Sequence, residues 1–129
     1  MTDQTETLFD NAAWPEARPR LSVLIPFKGD DPLPLLAALA LEPCAAEIVI
    51  LDDGSDNAAL AAEVEAAAGL LPLPARFVRL TRNEGRAKGR NRLVSHARGR
   101  TFLFLDSDML PDDPRFLRRW LEQVETSDP

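Results

Sequence analysis

Apolar and polar positions alternate in short blocks along the chain. Leu21–Ile25 (LSVLI), Glu47–Leu51 (EIVIL), Arg76–Leu80 (RFVRL) and Thr101–Leu105 (TFLFL) have the length and the branched or aromatic content of strands. Thr101–Leu105 is close to uninterrupted apolar sequence, which predicts a strand buried on both faces of a parallel sheet. Arg76–Leu80 alternates and is predicted to be more exposed. Helical segments fall between the strands. One runs from Pro32 to about Leu41 with Asp31 as its cap. The next extends to roughly Gly69, with Leu60, Val64 and Ala67 on one stripe and Gly69 as its stop. After a turn at Asn83-Glu84-Gly85, a third covers Arg86 to about Ala97, with an inward stripe read from Ala87, Val94 and Ala97 that includes Arg90 by spacing. Asp112 or Asp113 caps the last, with Pro114 near its first position and Phe116, Leu117, Trp120, Leu121 and Val124 as its stripe. This order predicts an α/β fold: a mostly parallel sheet of about four strands with covering helices. Residues 1–20 show no clear period and are read as a flexible or loosely docked arm, with Trp14 a candidate anchor; the body is 21–129.

Composition narrows the function classes. The chain has 129 residues, formal net charge −6 and a pI near 4.7, which argues against general affinity for a nucleic acid backbone. No stretch of eighteen apolar residues offers a membrane span. The amino terminus, MTDQTETLFD, lacks the basic start and apolar run of a signal peptide. With Cys44 alone there is no internal disulfide, and a cytoplasmic location is the expectation.

The chemistry is concentrated where strands end. Thr101–Leu105 runs directly into Asp106-Ser107-Asp108, and Glu47–Leu51 into Asp52-Asp53-Gly54-Ser55. Two carboxylates at the end of a buried strand are costly unless a cation holds them. A divalent metal carrying a phosphate is the fitting occupant, at the sheet edge where open α/β folds bind ligands. The first strand contributes Pro26-Phe27-Lys28. The helix after Gly85 offers free N–H groups to an anion at its amino end. Arg90, if on the covered face, needs a carboxylate or phosphate. Simpler roles stand beside these: Asp52 and Asp53 suit a turn and cap, Asp106 and Asp108 a capped turn, and Lys28 a solvated loop. His96 has no partner at a recognisable spacing, and Cys44 reads as a small buried hydrophobe.

In combination these residues resemble the amino-terminal, nucleotide-sugar-binding half of a family 2 glycosyltransferase of the Rossmann-like GT-A fold. The matching pieces are LSVLIP at 21–26, EIVILDDGSDN at 47–57, LTRNEGRAKGRNRLVSHARGRTFLFLDSD at 80–108 and the proline-led helix after them. A lone DxD is weak evidence, but the ordered set is specific. The resemblance implies a nucleotide-sugar donor, most commonly a UDP-sugar, with Mg2+ or Mn2+ and transfer with inversion. It implies that Asp53 meets the base, that the Pro26–Lys28 loop runs along base and ribose, and that Asp52 fixes the turn or the ribose side. Asn83, Gly85 and Arg90 would line the base and diphosphate. Asp108 would touch the metal directly, with Asp106 on the ribose or linked through water. Two departures stand out. The family's aromatic-Asn pair after the first strand is Phe27-Lys28-Gly29 here, and a lysine suits a phosphate or an acidic sugar. The family also continues beyond a point equivalent to Pro129, and that further portion would hold the acceptor site and the catalytic base, so no residue here is assigned as catalytic.

Other classes fit less well. A non-catalytic nucleotide-sugar-binding module acting with a partner shares every one of these residues. A receiver-like domain wants an acidic pair after its first strand, where this chain has Pro-Phe-Lys. The G-x-G-x-x-G turn is absent after that strand, and GRAKGR at 85–90 is no Walker loop. An open sheet edge and uncovered apolar surface towards the carboxyl terminus predict a homo-oligomer.

Overall fold

A computed structural model of the chain describes residues 5–42 and 44–127. Its elements in chain order are β1 (Glu6–Asp10), β2 (Leu21–Phe27), α1 (Leu33–Leu39), β3 (Ala46–Asp52), α2 (Ala58–Leu70), β4 (Ala75–Leu80), α3 (Arg86–His96), β5 (Thr101–Phe104) and α4 (Phe116–Ser127). They form one sheet in the order β1-β4-β3-β2-β5, parallel except for the antiparallel β1. The predicted α/β architecture is present, with five strands rather than about four.

The period-two pattern of the strands divides the apolar side chains between two faces. Val23, Ile25, Ile48, Ile50 and Phe77 pack under α1, α2 and α4 through Leu35, Leu39, Val64, Leu117 and Leu121. Leu24, Val49, Leu51 and Val78 pack on the opposite face against Leu93 of α3 and Trp14. All seven residues of β3 are buried, which places that strand at the centre of the domain.

Four local expectations are corrected. The segment read as an unpatterned arm contains β1, which runs against β4 from Glu6↔Leu80 to Asp10↔Arg76. It is followed by a buried Asn11, whose Nδ2 donates to the Leu73 carbonyl (2.8 Å) and whose Oδ1 accepts from Ala75 N (3.0 Å). Trp14 is buried between the guanidinium groups of Arg98 and Arg76, at 3.6 and 4.6 Å from its ring. Because β1 takes the edge, β4 is interior and its Phe77 and Val78 are fully covered. Conversely, β5 is an edge strand paired only to β2, with Phe102 41% exposed, and not a strand buried on both faces. Gly69 does not stop α2: it lies inside the helix, close against the ring of Phe9, and the chain turns extended at Leu71 ahead of Pro72.

The caps follow the sequence more closely. Asp31 Oδ1 accepts from Leu33 N (2.9 Å) at the start of α1, and Asp113 Oδ1 from Arg115 N (2.7 Å) just before α4. A second, tertiary cap joins them. Buried Glu42, at the end of the α1 turn, accepts from Leu117 N (2.9 Å) and Arg118 N (2.7 Å), placing a carboxylate on the positive end of α4.

Cys44 packs at the rim of the core near Glu42. Burial, and secondarily the Glu42 carboxylate, push its thiol up from 9.0 to about 11. The folded thiol therefore holds its proton more tightly than the unfolded one, and its contribution to stability fades as pH rises through that interval. The thiolate is the nucleophile, so Cys44 is expected to react with iodoacetamide at pH 8 many times more slowly in the native protein than in urea. Equal rates would show that the site is open.

Candidate functional site

The parallel register brings the carboxyl ends of β2, β3 and β5 to one edge. Phe27 lies beside Asp52, Leu24 beside Phe104, and two further bonds carry the alignment past the strands: Asp53 N to Phe27 O (2.9 Å) and Leu105 N to Leu24 O (3.0 Å). The three strand tips singled out from the sequence, 26–28, 52–55 and 106–108, are thus neighbours, with the β2 tip between the two acidic ones.

The β3 tip is rigidly built. Asp52 is 1% exposed; its carboxylate accepts from Ser55 N (2.9 Å) and Ser55 Oγ (3.0 Å), with Arg79 Nε at 3.7 Å. Asp52 thus ties down the turn that follows β3. Asp53 reaches across to the loop before α3. Its Oδ1 accepts from Glu84 N (2.8 Å), and its Oδ2 from Gly85 N (3.1 Å) and Asn83 Nδ2 (2.9 Å). The amino end of α3, expected to present its N–H groups to an external anion, gives two of the adjoining ones to this internal carboxylate. The field and the free donors at a helix start favour any negative group, and Asp53 is held there by the chain itself. Gly54 (φ +70) lets the two loops meet: a Cβ there would sit 2.2 Å from Asn83 N. Gly85, φ +93, turns the chain into α3.

The other tips are less enclosed. The Phe27 ring is buried and stacks on Phe77 (6.2 Å between centroids), so at this edge the residue offers its backbone and not its ring. Pro26 is half-buried and Lys28 exposed. Asp106 and Asp108 are both exposed, on either side of buried Ser107. Among the described residues no three acidic, histidine or cysteine side chains converge as a metal cluster.

Arg90 corrects the predicted helix phase. Gly89 and Leu93 are the buried residues of α3, one position away from the predicted stripe, while Ala87 and Val94 are exposed. Gly89 fits because its missing side chain admits Leu51, and Leu93 fills the core beneath. Arg90 is exposed, with its guanidinium stacked on Phe104 at 3.8 Å, at the β5 side of the edge.

Several polar residues escaped the sequence reading. Arg92 joins α3 to β1 and the preceding loop, through Glu6 (2.8 Å) and Glu84 (2.6 Å). His96, for which sequence spacing offered no partner, has Nε2 2.9 Å from Glu6 and Nδ1 3.1 Å from Arg76, a structural role. Glu47, fully buried in β3, accepts from Ser22 Oγ (2.7 Å), Arg98 N (2.7 Å) and Arg98 Nε (2.8 Å). The available signal was a glutamate inside an otherwise apolar strand, which demands a polar partner. A polar groove of about 480 Å3 between α3 and β1 is lined by Glu6, Glu84, Lys88, Asn91, Arg92 and Ser95, none of them a residue of the carboxyl edge.

No helix among the described residues is long and apolar enough to cross a membrane. No curated protein matches the chain. Among solved structures it is similar to a mannosyltransferase, PcManGT from Pyrobaculum calidifontis, in complex with GDP-Man and Mn2+. The identity is 26%, the TM-score 0.74, and the match covers 92% of this chain and 35% of that one. The chain therefore spans about a third of that enzyme's length. The family description Glycosyl transferase family 2 matches residues 22–129. With the sheet order, the three strand tips and this match in agreement, the chain belongs to glycosyl transferase family 2, as the amino-terminal part of its GT-A fold.

Proposed function

We propose that the edge formed by β2, β3 and β5 binds the nucleoside diphosphate of a nucleotide-sugar, and that the chain is the donor-binding portion of a metal-dependent, inverting glycosyltransferase. The observation that carries this reading is the pair of acidic tips on the strands flanking β2, in a chain of this family. Asp53 is the base-side group. A carboxylate has roughly four acceptor positions. The chain fills three of those on Asp53, two at Oδ2 and one at Oδ1, and so leaves Oδ1 a place for a base N–H. Asn83 and Gly85 position that carboxylate, and Asp52 holds the turn from which it projects. The Pro26–Lys28 loop runs along base and ribose. Lys28 and Arg90 supply positive charge towards the diphosphate, Arg90 steadied by its stacking on Phe104.

The β5 tip suits a divalent ion. Asp106 and Asp108 present hard carboxylate oxygens to solvent, and Mg2+ or Mn2+ combines one or two such groups with phosphate oxygens and water. Asp108 is the direct ligand in this reading and Asp106 contacts the ribose or a metal-bound water. When bound, the ion supplies Lewis-acid stabilisation of the departing diphosphate. The chain's own residues hold and orient the donor; the acceptor and its base are assigned to no residue here. The base is read as uracil from the family resemblance, while the mannosyltransferase neighbour carries GDP-Man, so both nucleosides enter the test.

UDP or GDP with Mn2+ is expected to raise the melting temperature, since a ligand at a hundred times its Kd stabilises by about 2.7 kcal/mol. Asp108→Ala should remove the metal-dependent part of that rise. An unchanged shift in the variant would defeat the metal assignment, and no shift with either nucleotide would defeat the donor site. Hydrolysis of a nucleotide-sugar above the level of Asp108→Ala separates an enzyme from a binding module.

A further inference from the structure

The strand ahead of the family match is tied to the loop that holds Asp53. We infer that Arg92 and Glu6 are positioning residues for the donor: they clasp β1 to the loop between β4 and α3, and so set the Asp53 carboxylate that meets the base. Resting on the donor site proposed above, this role belongs to residues outside it. Asp53 takes two of its three bonds from backbone N–H groups of the loop, Glu84 N (2.8 Å) and Gly85 N (3.1 Å). Where that backbone sits decides where the carboxylate sits. The loop carries a pivot at Gly85, which has φ +93 and, among the described residues, nothing within 4 Å of an added Cβ. Local packing at the pivot therefore does not hold it.

The β1 segment supplies the hold at both ends of the loop. At the start, Thr81 N donates to Thr5 O (3.0 Å), which carries the β1–β4 pairing one step past Glu6 and Leu80. At the far end Arg92, on the second turn of α3, grips the Glu84 carboxylate with two donors, Nε to Oε1 (2.6 Å) and Nη2 to Oε2 (2.8 Å). Two parallel bonds fix the orientation of both groups, which a single contact does not. The same guanidinium reaches β1 through Nη1 to Glu6 Oε2 (2.8 Å) and Nη2 to Thr5 Oγ1 (2.7 Å). Glu6 is met a second time by His96 Nε2 (2.9 Å), one turn further along the helix. The Arg92, Glu6 and Glu84 side chains are all largely covered, so these ion pairs are less screened than surface ones. A path of hydrogen bonds thus runs from Glu6 through Arg92 and Glu84 to Asp53. Its first member stands ahead of residue 22, where the family match begins.

Calorimetric titration with UDP or GDP plus Mn2+, set against pyrophosphate plus Mn2+, separates the base from the rest of the donor. Arg92→Ala is expected to weaken the nucleotide about tenfold, the scale of one lost hydrogen bond to a charged group, and to leave pyrophosphate unchanged. Retained pyrophosphate binding also shows that the variant is folded. Arg92→Lys keeps the charge without the fork and should recover only part of the loss. Glu6→Ala should act in the same direction, and Glu6→Gln, which keeps an oxygen for Arg92, by less. Asp10→Ala cuts the ion pair to Arg76 at the other end of β1 and should leave both affinities as they are. Amide exchange gives a reading without ligand: Glu84 and Gly85 N–H should exchange faster in Arg92→Ala and not in Asp10→Ala. Equal losses for nucleotide and pyrophosphate would overturn the inference. So would an Asp10→Ala effect as large as that of Arg92→Ala, or unaltered exchange in Arg92→Ala. Failure of the unaltered chain to bind either nucleotide would defeat the donor site instead, with the exchange rates still deciding whether the clasp holds the loop.

Discussion

Glu47→Ala is expected to destabilise the protein by about 1–3 kcal/mol, the cost of leaving buried donors without their acceptor, since only the Glu47 side of its pair with the 28% exposed Arg98 is buried. That is a large share of the 5–15 kcal/mol by which a domain is ordinarily stable. Glu47 is fully buried, and its two oxygens satisfy Ser22 Oγ, Arg98 N and Arg98 Nε together. Truncation leaves a hydroxyl, a backbone N–H and a guanidinium that lose their acceptor, and it opens a void beside β2. The guanidinium has a further task. It lies over the Trp14 ring at 3.6 Å and donates to the Trp14 carbonyl (2.7 Å), so the same carboxylate indirectly holds the segment after β1. Glu47→Gln keeps the shape and one acceptor and should lose only part of the stability. Urea denaturation of both variants measures the difference. A loss under 1 kcal/mol for alanine would mean that water replaces the carboxylate without cost and that Glu47 is not truly buried.

This network also shows where the sequence was legible. The four strands and four helices followed from runs and periods, because LSVLI, EIVIL and TFLFL have few alternatives once buried. The acidic tips could be read as neighbours, since in a parallel sheet successive strand ends meet at one edge. What could not be read was set by partners distant in sequence. ETLFD of β1 carries two acids in five positions and looks like a tail. Its strand form is fixed by β4, and its acids are met by Arg92, His96 and Arg76 from other elements. The phase of α3 was misread for a similar reason. Gly89 carries no apolar side chain to mark it as inward, yet its small size is what brings the helix down onto Leu51. Asp53 was assigned from the resemblance to meet a base, with a turn or cap as its simpler role. The structure shows most of it engaged with the loop before α3, a contact between residues some thirty positions apart.

Gly54→Ala tests that contact. Gly54 has φ +70, and a side chain in this region costs about 1 kcal/mol even with space around it. Here there is none: the Cβ would lie 2.2 Å from Asn83 N and 2.3 Å from Arg82 C, both backbone atoms with no rotamer to yield. Overpacking of this kind adds about 1–3 kcal/mol, so a total loss of about 2–4 kcal/mol is expected. Gly29 is the control. It has a similar φ of +83 but nothing within 4 Å of an added Cβ, so Gly29→Ala should show the backbone penalty alone. The difference between the two variants isolates the contact between the β3 tip and the loop before α3. Because that loop supplies the Asn83, Glu84 and Gly85 donors to Asp53, pushing it away should also abolish the thermal shift with UDP or GDP in Gly54→Ala. Equal destabilisation by both variants would mean that the loops separate at no cost, and Asp53 would then lose its claim to be held in place for a base.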